Sequence, residues 1–278
     1  MAGIGGNKAM KTKRYFALAL ALLMCISAFA GCAPKETAAG DAAYITGNGK
    51  MIIGVTPYAP MNYLDENGEW TGFDTEFAIA VCEKLGVTPE FIEIVWETKE
   101  IELNAKTIDC IWNGMTIDPE RALNMNISLP YVKNAQVIVV RADSTYASTA
   151  DLIGKTLVAE IGSAGESQLA DDDDLVQADY IGMTKQIDCL LEVKAGTADA
   201  AVLDWTLAKT MVGEGTDYAD LKMIDGLELG EEEYGIGFRK DSDMTAKVNA
   251  IIEELVADGT LPALAEKYGL SLSPEITG

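Results

Sequence analysis

From residue 50 onward the chain alternates between two hydrophobic rhythms. Short apolar runs of strand type occupy residues 51–55, 91–95, 108–112, 136–140, 157–161, 198–203 and 234–238. Between them, apolar positions recur at helical spacing. The clearest helical stretch follows Gly72-Phe73-Asp74, with Asp74 as the expected N-cap and Phe77, Val81, Cys82 and Leu85 as the buried stripe. Further helices are expected over 99–106, 184–195, 244–257 and 261–268, whereas the acidic stretch 227–233 reads as a loop. Strands alternating with helices predict a mostly parallel α/β sheet, which gathers ligands at the C-terminal ends of its strands. Tyr58, Trp96 and the segment from Asn113 to Thr116 all fall at such ends.

The strand 108–112 runs into Asn113-Gly114, whose turn chemistry is expected to end it. Asp118 then reads as a helix N-cap, with Pro119 at the first helical position and Arg121 in the first turn. A strand end and a helix start so close together leave backbone N–H groups and one guanidinium facing the same space. That suits a carboxylate. A second cradle is expected where Gly162-Ser163-Ala164-Gly165-Glu166 opens a helix, since small residues let an anion approach the first N–H groups. Asp204 closes the strand 198–203, where it is placed either to meet a cation in a cleft or to cap the following helix.

The first fifty residues follow another pattern. Residues 8–14 are basic, and 15–29 form a nearly continuous apolar run ending in small residues. The run is short for a membrane span, which needs about 20 residues, so residues 1–31 read as a signal peptide, with Met10 a candidate start. Phe29-Ala30-Gly31-Cys32 looks like a lipobox, with Phe29 where Leu is usual, and makes Cys32 the expected lipid-modified end of the mature chain. Residues 32–49, poor in apolar bulk, read as a flexible tether.

Charge and composition then remove several function classes. The net charge is −23, and it becomes −27 without Lys8, Lys11, Lys13 and Arg14, the charged residues of 1–32. Such a surface disfavours nucleic acid and anionic lipid. The chain has no His, which excludes His-based triads, His-ligated zinc and imidazole acid–base chemistry. Cys82, Cys110 and Cys189 are odd in number without CxxC spacing, so they indicate neither a disulfide framework nor a zinc site. Pairing of Cys82 with Cys110 stays open at this point. The run Asp171–Asp174 lacks EF-hand spacing and reads as a solvated loop, and no cofactor is expected.

The segment Gly114-Met115-Thr116 followed by Arg121 resembles a Gly-Met-Thr-x-x-x-x-Arg motif of the family 3 extracellular solute-binding proteins, the amino-acid receptors of bacterial ABC importers. The order strand, aromatic loop, turn, Gly-Phe-Asp, helix resembles that family too, and the likeness runs from about residue 50 to 269. It implies an α/β fold of the periplasmic-binding-protein-like type II. Two lobes, each a mostly parallel sheet flanked by helices, would be joined by two hinge crossings. Lobe 1 would comprise 50–136 and 233–278, and lobe 2 would comprise 137–232.

The resemblance also implies roles. Arg121 would bind the ligand's α-carboxylate. Gly114 and Thr116 would take its carboxylate and ammonium through backbone and hydroxyl groups, and Asp204 its ammonium. Ser163 and Ala164 would form the second cradle, although Ala164 stands where the family usually carries a hydroxyl. Independently of the resemblance, the strand-end positions of Tyr58, Trp96 and Asn113 and their flat or amide side chains make them the expected contacts to the ligand's side chain. The implied partners are a small amino acid, ABC permease subunits and, through the lipid on Cys32, the extracytoplasmic face of the cell membrane, with the protein a monomer.

An enzyme of the same bilobed plan, a dehydratase of prephenate or arogenate, is the alternative, with Glu97, Glu160 or Glu166 as its acid. The absence of His and an Arg/Asp pair suited to a zwitterion favour binding. For the ligand itself, Val55 stands where relatives of cationic specificity carry an acid, and residues 54–64 hold no Lys or Arg. With the flat faces of Tyr58 and Trp96 and the amides of Asn62 and Asn113, the expectation is a neutral amino acid such as glutamine, cysteine or cystine, with Glu97 and Glu100 as the reserve partners for a cation.

Overall fold

The computed structural model describes residues 40–278, so the signal peptide, Cys32 and the first part of the tether lie outside the described residues. Part of the segment expected as a flexible tether is folded. Residues Asp41–Gly47 form helix α1, which buries Ala42 and Ile45. Burying an Ile is worth about 2–3 kcal/mol, and Asp41 adds an ion pair to Arg239 at 2.8 Å. Neither gain exists until distant chain is in place, so composition alone reads this segment as linker.

The elements continue with β1 (Lys50–Val55), a short hairpin β2 (Tyr63–Leu64) and β3 (Trp70–Thr71), α2 (Phe73–Leu85), β4 (Thr88–Glu93), α3 (Lys99–Asn104), β5 (Cys110–Thr116), α4 (Pro119–Asn124), β6 (Met125–Ile127) and β7 (Val132–Arg141). Next come β8 (Thr156–Glu160), α5 (Ala164–Asp171), β9 (Asp179–Met183), α6 (Gln186–Ala195), β10 (Ala200–Asp204) and α7 (Trp205–Met211). The long β11 (Leu221–Arg239) leads to α8 (Met244–Ala257), α9 (Thr260–Tyr268) and α10 (Pro274–Thr277).

The strands follow one path, β4-β1-β5-β11-β7-β10-β8-β9, with β6 beside β11. The trio β4-β1-β5 is parallel, and so is the trio β10-β8-β9. Between them β11 and β7 run antiparallel to each other, to β5 and to β10. This is the expected α/β plan of two parallel groups flanked by helices, joined through two long strands. Partners change along those strands: β11 pairs with β7 up to Tyr234 and with β5 and β6 from Tyr234 onward.

Three local expectations are corrected. Gly72, not Asp74, occupies the N-cap of α2; Asp74 is the second residue of the helix and is buried, accepting the Gly114 N–H at 2.7 Å and the Tyr131 hydroxyl at 3.0 Å. Those donors belong to distant chain, in an aromatic core where Phe77 and Trp112 meet edge to face with centroids 5.0 Å apart. Asn113-Gly114 does not end its strand, because β5 continues to Thr116 with Gly114 at φ +56°. A Cβ there would stand 2.6 Å from Tyr58 Cε1, so glycine permits both the backbone conformation and the close ring. Finally, 227–233 is strand, with Glu228 opposite Val137 and Glu232 opposite Asn134. Its acidic side chains mask the apolar alternation, and β7 supplies the ladder that makes it strand.

Cys82, Cys110 and Cys189 are all buried and unpaired. The acidic run ends α5, and Asp172 caps its own loop by accepting the N–H groups of Asp174 at 2.9 Å and Leu175 at 3.0 Å.

Candidate functional site

The C-terminal ends of the two parallel trios face one cavity of about 10 Å³. From the first trio and its loops come Trp96, Asn113, Gly114, Thr116 and Arg121. From the second come Glu160, Ser163, Ala164, Gln186 and Asp204. The cavity is the size of a single water site, so a larger guest requires the two sides to part.

Arg121 is placed by its own helix start. Asp118 caps α4 by accepting the Arg121 N–H at 2.9 Å and pairs with Nε at 3.0 Å. The guanidinium then donates to the Thr116 carbonyl at 2.7 Å and, across the cleft, to the Gly162 carbonyl at 3.1 Å. Gly162 receives two further donors from the first side, Trp96 Nε1 at 3.1 Å and Lys99 Nζ at 3.0 Å. Lys99 is buried and lies 4.7 Å over the Trp96 ring. Burial, with Arg121 beside it, pulls its pKa down to about 8.

Asp204 stands where β10 ends, and its side chain makes no capping bond to α7. Its Oδ1 accepts from Asn134 at 2.6 Å, Gln136 at 2.9 Å and the Tyr234 hydroxyl at 2.8 Å, and Oδ2 accepts from Gln186. Asn134 and Gln136 donate equally to Glu232, at 2.5 and 2.8 Å. Burial, then the Asp204 charge, push the Glu232 pKa up to about 8. Two amides on β7 thus hold two carboxylates, one at a strand end and one on β11.

Several expected contacts are committed elsewhere. The Asn113 side chain turns away from the cavity, accepting the Thr56 N–H at 2.9 Å and donating to the Thr56 hydroxyl at 2.6 Å. Asn62 is buried behind it, donating to the Trp112 carbonyl at 2.9 Å. Tyr58 is outside the cavity lining; its ring packs on Gly114 and its hydroxyl meets those of Thr206 and Tyr234. The Gly114 N–H serves Asp74 and the Ser163 N–H serves the Glu160 carbonyl at 3.1 Å. The cradle that remains is the N–H of Ala164 and Gly165, which have no acceptor within α5.

Glu160 and Gln186 are additions that the sequence reading did not assign to the ligand. Glu160 ends β8, is buried, and has an Oε1 without a partner. Burial first, then Asp204, push its pKa up to about 8, against the opposing pull of Lys99. The same strand-end rule that flagged Asn113 would have flagged it. Of the other acids considered, Glu97 is exposed, and Glu166 accepts the Gly162 N–H at 2.6 Å and the Tyr180 hydroxyl at 2.7 Å.

Comparison with known proteins completes the description. The model of the bacterial extracellular solute-binding proteins, family 3, matches residues 51–271. The arginine-binding extracellular protein ArtP of Bacillus subtilis is 28% identical over 252 residues, 89% of this chain and 96% of its own length. The L-cystine-binding protein TcyJ of Escherichia coli is 29% identical over 255 residues, 90% of this chain and 94% of its own. Among solved structures, a mutant of ArgBP from T. maritima is 34% identical, covers 82% of this chain and 99% of that one, and superimposes with a TM-score of 0.76.

Proposed function

The chain belongs to the bacterial extracellular solute-binding proteins of family 3, and on that premise we propose that it captures an amino acid between two lobes and hands it to an ABC importer. Its relatives are amino-acid-binding proteins rather than enzymes. The observation that carries the reading is the meeting of Arg121, from the side of the first trio, and Asp204, from the second, with the open Ala164 N–H of α5 at one cavity.

In this reading lobe 1 comprises residues 50–136 and 233–278, lobe 2 comprises 137–232, and β7 and β11 are the hinges. When the lobes part, the Gly162 carbonyl leaves Arg121, Trp96 and Lys99. A ligand α-carboxylate then takes its place on Arg121 and reaches the α5 N–H groups, while the α-ammonium meets Asp204 Oδ2 and Thr116. Each charge-assisted hydrogen bond contributes about 1.5–3 kcal/mol. Three or four of them, less the ordering cost, reach the about −8 kcal/mol of micromolar binding. The Trp96 face covers the side chain. Lipid on Cys32 would hold the receptor at the extracytoplasmic face of the membrane, beside its permease and as a monomer.

Calorimetry with the twenty common amino acids and cystine tests the receptor, with Arg121→Ala as the control. At least one ligand should bind the natural protein, and Arg121→Ala should lose detectable binding. Unchanged affinity in that variant would remove Arg121 from the site. Asp204→Ala should also lose binding, but it strips an acceptor from four donors, so its melting temperature should fall as well.

A further inference from the structure

Three ionisable side chains line the cavity: Arg121, Asp204 and Glu160. The backbone part of an amino acid, a zwitterion, matches the first two and leaves the third. Glu160 is 4% exposed and its Oε1 makes no hydrogen bond. The charged groups around it do not supply a counter-ion. Asp204 and Asp188 repel its charge. Lys99 attracts it, yet its ammonium is held by the carbonyls of Trp96 at 3.2 Å and Gly162 at 3.0 Å. Gln186, the remaining neighbour, donates its amide to Asp204 and also to the Glu160 carboxyl, but it carries no charge to offset an anion. The lining therefore carries one basic and two acidic side chains around a guest whose own backbone charges cancel.

We propose that Glu160 is the specificity-determining residue of this site, and that the ligand is an amino acid whose side chain ends in a cation. The assignment rests on the amino-acid-receptor reading and deepens it. A carboxylate enclosed in a cleft without a partner is costly, and a ligand ammonium or guanidinium removes that cost where a neutral side chain cannot. Burial first, then repulsion by Asp204, hold the carboxyl's pKa at about 8, and an approaching cation relieves both. This reverses the expectation of a neutral ligand. That expectation looked for a cation partner on the first loop and relied on the amides of Asn62 and Asn113, which are hydrogen-bonded inside the protein. The partner comes from the opposite side of the cleft, at the end of β8.

Titration calorimetry on the full chain near neutral pH separates the possibilities, using L-arginine against L-citrulline and L-lysine against L-norleucine. The natural protein should bind the cationic member of at least one pair about 100-fold more tightly than the neutral member. Glu160→Gln should lose about 100-fold for that cation and stay within about 3-fold for the neutral member. Its melting temperature should not fall, because the amide removes an uncompensated acid. Tighter binding of a neutral member by the natural protein, or equal losses for both members in Glu160→Gln, overturns the assignment. Arg121→Ala tells the two failures apart. If it abolishes binding while Glu160→Gln keeps the cation preference, the receptor stands and the role of Glu160 falls. If it binds as the natural protein does, both fall.

Discussion

Arg239, the last residue of β11, joins three separate segments under the first trio of strands, and its removal should be severe. Its guanidinium reaches Asp41 Oδ1 on α1 at 2.8 Å and Asp109 Oδ1, just before β5, at 3.0 Å. It also donates to the carbonyls of Ile108 at 2.7 Å and Leu103 at 3.3 Å. The side chains of Asp41 and Asp109 are only 11% and 3% exposed. Arg239→Met keeps the aliphatic stem and removes the charge, leaving two carboxylates without the cation that faces both. Breaking a buried pair in this way costs about 3–5 kcal/mol. In a domain of this size each kcal/mol moves the melting temperature by about 2–4 °C, so a fall of about 10 °C is expected. Thermal unfolding followed by circular dichroism near neutral pH measures it. Arg239→Met/Asp109→Asn should recover about 1–2 kcal/mol of the loss, since the orphaned charge is gone and the amide oxygen still accepts the Ile52 N–H. A single variant within about 2 °C of the natural protein, or a double variant no better than the single, would refute this account of the ion-pair cluster.

Acid should stabilise the protein. Burial raises the pKa of Asp74 to about 7 and of Glu160 to about 8, above the 3.8 and 4.5 of the unfolded chain. The folded state therefore holds more protons between those values, so the stability these groups contribute is full below about pH 4 and is lost as pH rises from there to about 7 and 8, by at most about 1.4 kcal/mol per pH unit for each group. Melting temperatures should fall from about pH 5 to about pH 8, the profile of Glu160→Gln should be flatter, and a melting temperature that rises over that range would contradict the assignment. At the other end of the chain, Cys32→Ser should abolish partition into the membrane fraction, and its retention there would rule out the lipid anchor.

The sequence by itself determined what depends on near neighbours. Helix α8 falls where its apolar spacing put it, and the Asp118-Pro119 start of α4 is there because a cap needs only residues within one turn. The Gly162-Ser163 start of α5 obeys the same local rule. Eight of the nine expected binding positions line the cavity, because strand ends can be read along the chain and the fold brings them together. The tertiary structure decided everything that needed a partner from afar. α1 is a helix because Arg239 and a buried face await it, and 227–233 is strand because β7 lies beside it. Asn113 lines the cavity but turns its amide inward, because Thr56 and Asn62 occupy its hydrogen bonds. Lys99 and Glu160 are sixty-one positions apart in sequence and ordinary as residues. Their meaning comes from burial, since a charge that would be solvated on an isolated segment must find a partner once the cleft encloses it.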